Sequence, residues 1–273
     1  MSALDRAIVR HEIEGLRRYT QSDRRLARRY AFRITWRRGV ACFSRSPRFP
    51  LSGFGSQAVG FGVLSAPTDD VLDAIVRHYD GLGLPARLLL AEELVGSGVS
   101  GLVRRHGFRR VDDHDMVTTI LRTARAPRGP AVAGLTLARV PFDRIAAFVD
   151  LGRSAFADRG FLRAYFRAAQ IALMRVHPRS AIGIEARIDG TPAGTGMLYR
   201  HEGLASLGGA AVLPSFRGRG IHDAVIAERV RLGVGLGERT FLCRYDESNR
   251  VSAQNQRDLG FRPYYRATRW QRE

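Results

Sequence analysis

Residues 212–225, VLPSFRGRGIHDAV, set two glycines and two arginines between an apolar, strand-like run and a helical one. A loop of this kind can turn several backbone N–H groups toward one point. The first turn of the following helix adds unpaired donors and the positive end of its dipole. Gly218 and Gly220 supply the φ freedom, and Arg217 and Arg219 can add charge-assisted bonds to oxyanions. The chemistry such a loop does is retention of phosphate oxygens. A solvent-exposed basic turn is the competing reading, and the loop alone leaves both open.

The elements that would position this loop follow from hydrophobic periodicity. Residues 4–29 suit one or two surface helices with a narrow apolar stripe, Leu4, Ile8, Leu16 and Leu26. AFRITWRRGVACFS reads as two strands about a tight turn at Arg38 and Gly39, and SQAVGFGVLS as another strand. A helix runs from the cap-like Thr68 through DDVLDAIVRHYDGLG, stopped by Gly81 and Gly83. Strand ARLLLAEE, a short helix near GSGVSGLVRRHGF and strand DMVTTILRT follow. The aperiodic ARAPRGPAVAG, 124–134, is the linker candidate. Beyond it come helices FDRIAAFVDLGRSAF and RGFLRAYFRAAQIALMRV, strands AIGIEARIDG, PAGTGMLYRHEG and ASLGGAAVLP, the Arg/Gly loop and helix IHDAVIAERVRLG. Strand RTFLCRYD, a helix through NRVSAQNQRDLGF and strand YYRATRW close the chain. VLSAPTDDVLDAIV stands opposite VLPSFRGRGIHDAV in this order, so two copies of one αβ unit are expected.

Composition bounds the rest. A chain of 273 residues with 45% apolar residues suits two globular domains. All 44 positive residues are Arg, giving a net charge of +18, but they are scattered through every segment, a pattern of codon bias before function. Only RRYAFRITWRR, 28–38, interleaves aromatics with arginines as a nucleic-acid surface would, and its alternation suits a half-buried strand better, so no nucleic-acid partner is expected. Cys42 and Cys243, one per half inside apolar runs, read as core thiols of a reducing compartment. No run is long and apolar enough to span a bilayer and no signal peptide is evident, so a cytoplasmic protein without a membrane partner is expected.

The second half resembles the GNAT superfamily of acyl-CoA-dependent N-acyltransferases, whose loop follows the pattern Gln/Arg-x-x-Gly-x-Gly/Ala. Arg217, Gly220 and His222 occupy its three fixed places, the last with His for a small residue. Downstream the superfamily often has Asn, Ala three later, Tyr seven later and Gly-Phe eleven and twelve later; here stand Asn249, Ser252, Gln256, Gly260 and Phe261. The resemblance implies an α/β (α+β) fold of tandem GNAT-like domains, each a mixed, mostly antiparallel twisted sheet flanked by helices. It divides the chain into a degenerate copy at 1–125, in which SAPTDD replaces the glycine loop, a linker at 126–134 and an acyl-CoA-binding domain at 135–273.

It further implies transfer of an acyl group, acetyl being the commonest, from acyl-CoA to the amine of a small molecule. Ala211, Val212 and Leu213 would line the pantetheine arm, with Cys243 to Asp246 facing them and a backbone N–H near Val212 as oxyanion donor. Arg217, Gly218, Arg219, Gly220, Ile221, His222, Asn249, Ser252 and Asn255 would complete the cofactor site. Gln256 stands where a tyrosine usually protonates the leaving thiolate, which leaves Tyr264, Tyr245 or water. Asp246 is the first choice of base, before Glu247, Glu202, His201 and Glu185. No metal is called for, and a monomer or homodimer is expected. An acyl-CoA-binding regulatory protein that has lost its acid is the alternative.

Overall fold

The computed structural model describes residues 1–49, 55–96, 98–111, 115–155 and 160–272. In chain order its elements are α1 (Ala3–Gln21), α2 (Arg24–Arg29), β1 (Arg33–Arg37), β2 (Val40–Ser44), β3 (Gln57–Val59), α3 (Asp69–Asp80), β4 (Arg87–Leu90), α4 (Glu92–Val95), α5 (Val99–Arg105), β5 (Phe108–Arg110) and β6 (Met116–Arg122). They continue with β7 (Leu135–Arg139), α6 (Ile145–Ala155), α7 (Gly160–Val176), β8 (Ala181–Ile188), β9 (Thr191–His201), β10 (Leu204–Val212), α8 (Ile221–Gly235), β11 (Thr240–Asp246), α9 (Arg250–Asp258) and β12 (Arg262–Arg272). Residues 156–159, at the junction of two expected helices, lie outside the described residues. The short strands β5 and β7 escaped the periodicity reading, because three to five residues hold too few alternations to register. No helix among the described residues is long and apolar enough to cross a membrane.

Two compact units result: Met1–Thr118 with Asp246–Ser248 and Tyr264–Glu273, and Thr119–Tyr245 with Asn249–Pro263. This corrects the expected boundaries at both ends of the second domain. The segment 126–134 is packed within the second unit: Ala126 touches its core, and Pro130 and Val132 lie against Gly220. At the far end, β12 belongs to the first unit, where it pairs antiparallel with β4 and β5 and buries Trp270 in that unit's core. Polar ties fix it there as well: Tyr264 donates to Asp5 at 2.6 Å, Tyr265 donates to Glu12, and the Arg266 guanidinium pairs with Glu93 at 2.9 Å.

In the first unit the strand order is β1-β2-β3-β4-β12, with β5 also on β12; β3 and β4 run parallel and the pairs β1–β2, β2–β3, β4–β12 and β5–β12 antiparallel. α1 opens on a capping box, Ser2 and Asp5 each bonding the other's backbone N–H. Its Val9 and Ile13 cover one face of β2 at Ala41 and Phe43. The opposite face, Val40 and Cys42, packs with Leu72 and Ile75 of α3 and Val103 of α5. Helices on both faces explain why VACFS is apolar without alternation. In the second unit β7, β8, β9 and β10 form an antiparallel meander, and β11 joins β10 in parallel. Gly196 of β9 faces Val225 and Arg229 of α8, while Thr195 lies against Gly152 of α6 and Met197 against Gln170 of α7, so helices again cover both faces. Each sheet is mixed and mostly antiparallel, as expected.

Candidate acyl-CoA site

The site is built where β10 leaves β11. Their parallel pairing runs from Leu204–Thr240 to Leu207–Cys243 and stops there, although β10 continues to Val212. On its other side β10 stays paired with β9, but the register shifts between Gly208 and Ala211, and Gly209 in that bulge has φ of +58°. A bulge adds a residue to one strand and turns it away from its neighbour. Residues 208–212 therefore present an unpaired strand edge, which can take an extended ligand by main-chain hydrogen bonds.

Past the end of β10 the chain passes through a 3₁₀ turn at Pro214–Phe216 and the loop 217–220 into α8. Gly218 and Gly220 have φ of +75° and +78°, the left-handed region that L side chains rarely adopt. Gly220 is the N-cap of α8, and no side chain caps that helix. The N–H groups of its first turn are thus directed at whatever occupies the loop. Arg219 lies over Phe216 and donates to the Ser215 carbonyl at 3.5 Å. Arg217 donates to Val212 O at 3.2 Å and Ala155 O at 3.4 Å. Both arginines are held at the loop by neutral carbonyls, and no carboxylate among the described residues pairs with either. Uncapped N–H groups with two such guanidiniums fit a pyrophosphate.

His222 sits in the first turn of α8, with its Nδ1 2.9 Å from Asn255 Nδ2. With the amide as donor, Nδ1 accepts and the ring proton sits on Nε2. That bond ties the start of α8 to α9. Asn249 caps α9 by accepting from Ser252 N at 3.0 Å. Loop 217–222 and Asn255 thus come together, while Asn249 and Ser252 act on each other.

A model of the acetyltransferase (GNAT) family matches residues 146–261. Residues 146–261 are a GNAT domain. Among solved structures the chain is similar to a GCN5-related N-acetyltransferase from Kribbella flavida, at 17% identity and a TM-score of 0.67, covering all of this chain and 96% of that one. A GCN5-related N-acetyltransferase from Sphaerobacter thermophilus is 19% identical with a TM-score of 0.59, over 89% of this chain and 76% of that one. A tandem GNAT protein from the clavulanic acid biosynthesis pathway is 15% identical with a TM-score of 0.57, over 84% of this chain and 72% of that one. No protein among those with curated descriptions matches the chain.

The GNAT domain resolves what Gln256 does. It is buried, accepts from Thr119 Oγ1 at 2.6 Å and donates to Ser252 Oγ at 3.2 Å. Cys243 O lies 3.2 Å from the same hydroxyl, an alternative acceptor for its single proton. Gln256 is therefore a knot joining α9, β6 and β11, and it carries no transferable proton. Tyr264 donates to Asp5 at 2.6 Å within the first unit. Asp246 accepts from Ser248 N at 2.9 Å and from Ser248 Oγ. Glu185 is buried in ion pairs with Arg187 and Arg144, a structural charge. Burial raises the Cys243 thiol above its ordinary pKa, which suits a core thiol and opposes a nucleophile.

Two features of the GNAT domain are absent from the expected site. The first is the bulge at Gly209. The second is Arg229, the largest charged side chain in the interior, donating to Val225 O at 3.1 Å and to Met197 O and Gly208 O at 3.2 Å each. A sequence signal for it exists: Ile221, Val225 and Arg229 recur every four residues, so the arginine stands in phase with a buried stripe.

Proposed function

We propose that the chain is an acyl-CoA-dependent N-acyltransferase that moves an acetyl group to the amine of a small molecule. The observation that carries this reading is the parting of β10 from β11 beside an uncapped, arginine-flanked helix start. The first-turn N–H groups of α8, with Arg217 and Arg219, would take the pyrophosphate of acyl-CoA. The strand edge at 208–212, including Ala211 and Val212, would take the pantetheine amides as an added strand, leading on to Leu213 at the loop.

An amine arrives protonated, with a pKa near 10.4 for an alkyl ammonium, and must lose a proton first. We assign that proton to Asp246 or a water it holds. The amine nitrogen then bonds to the carbonyl carbon as the C=O pair moves onto oxygen. That pair returns as the C–S bond breaks, a thiolate of pKa near 8.5 by analogy with Cys departs without needing an acid at position 256, and the second proton of the attacking nitrogen passes to the thiolate or to water, leaving a neutral amide.

Calorimetric titration with acetyl-CoA tests the site, and thiol release from acetyl-CoA across a panel of small amines tests the reaction. Binding and amine-dependent release are expected; a silent titration refutes the reading. The structural use of Gln256 favours one alternative, an acyl-CoA-binding regulator, which would bind acetyl-CoA and release no thiol with any amine.

A further inference from the structure

Arg229 is fully buried, and its partners are three backbone carbonyls with no carboxylate among them. Burial pushes its pKa down to about 10, opposed by the neighbouring Cys243, so it remains charged at neutral pH. Room for it is made by Gly196, where a Cβ would lie 2.9 Å from the guanidinium Nε. An uncompensated buried charge costs several kcal/mol, so its position needs a reason beyond packing.

The carbonyls it binds supply one. Met197 and Gly208 are partners across β9 and β10, and one guanidinium nitrogen reaches both oxygens. The Gly208 C=O is therefore turned toward the β9 side. Its peptide is trans, so the Gly209 N–H is turned the opposite way, toward the side on which pairing with β11 has ended. A charged donor on a carbonyl polarises the whole peptide and strengthens its N–H as a donor.

We propose that Arg229 is a positioning residue whose buried charge, passed through the Gly208 carbonyl, makes the Gly209 N–H the donor for the thioester oxygen. The donor lies three residues before the expected Val212, at the bulge itself. A donor at that oxygen stabilises the charge that builds there as the amine attacks, while the thiolate still leaves unprotonated. The inference rests on the N-acyltransferase reading and deepens it.

The test uses the full chain with acetyl-CoA isotope-labelled at the acetyl carbonyl, followed by difference infrared spectroscopy without any amine. In the wild type the bound carbonyl stretch is expected at lower wavenumber than in solution. R229K, which keeps the charge, should hold that shift; R229Q, which keeps donors and loses the charge, and R229M, which loses both, should return toward the solution value. Turnover should follow, with kcat of R229Q lower by roughly 10- to 100-fold, below the loss for deleting an oxyanion donor outright, and KM for acetyl-CoA within about threefold. Where R229M does not fold, R229Q against R229K decides.

An unshifted carbonyl in acetyl-CoA-bound wild type overturns the inference and leaves the function standing. So does a wild-type stretch in folded R229Q, or loss of the shift in R229K and R229Q together in step with thermal stability, which marks a purely structural arginine. Absence of acetyl-CoA binding by the wild type refutes the N-acyltransferase reading instead.

Discussion

Replacing Gln256 by Leu separates a structural amide from a residue in a proton path. Two bonds of good geometry are lost, at 2.6 Å to Thr119 and 3.2 Å to Ser252; the third, to Arg244 O at 3.5 Å, is too long to count for much. Thr119 keeps Cys243 O at 3.2 Å, so its hydroxyl is not orphaned. At about 0.5–1.5 kcal/mol per neutral bond, with Leu refilling most of the volume, the expected loss is about 2 kcal/mol. Thr119→Val should cost about 1 kcal/mol, and the double variant should reveal a coupling of about 1 kcal/mol. Urea unfolding should be followed by two probes. Trp36 and Trp270 both lie in the first unit, so tryptophan fluorescence reports on that unit, whereas far-UV circular dichroism also reports on the second. The loss should appear in the dichroism-detected transition, with kcat within about threefold of wild type for the folded protein. Unchanged stability, to within about 0.5 kcal/mol, or a loss of kcat beyond tenfold at full folding refutes the assignment of Gln256 as a knot.

Gly220→Ala forces a side chain into φ of +78° with Pro130 Cγ 3.1 Å from the new Cβ, whereas Gly218→Ala at +75° meets open space. From left-handed strain of about 1–2 kcal/mol, calorimetry should find acetyl-CoA bound roughly tenfold more weakly by both, and weakest by Gly220→Ala. Burial works to raise the Glu14 pKa, but hydrogen bonds from Arg17 and Arg18 outweigh it and bring it from 4.5 to about 2. Its contribution to stability is thus present above about 4.5 and lost as pH falls toward about 2; Glu14→Gln should lower the melting temperature at neutral pH and converge with wild type in acid. Burial raises both thiols, Cys42 to about 12, so neither should react with a thiol reagent at neutral pH until the chain is unfolded in denaturant.

Local chemistry was legible in the sequence and distant partnership was not. The glycine-arginine loop, its helix and the turn at Arg38 and Gly39 depend on residues within a few positions of each other, and those residue types admit few conformations. The strand before the loop and the gap beside it were legible through the family pattern that the loop carries. By contrast, YYRATRW reads as a strand wherever it goes. Only tertiary contacts, Trp270 in a core formed by residues 40–108 and Tyr264 on Asp5, assign it to the first unit. The same limit hid the roles of Gln256 and Arg229. A buried amide acquires meaning from Thr119, 137 positions away, and a buried guanidinium from carbonyls on two strands that no local pattern names. Sequence by itself determined which backbone could hold a phosphate; the fold decided where the charge beneath the parted strands would sit, because desolvation and hydrogen-bond satisfaction are properties of the packed interior.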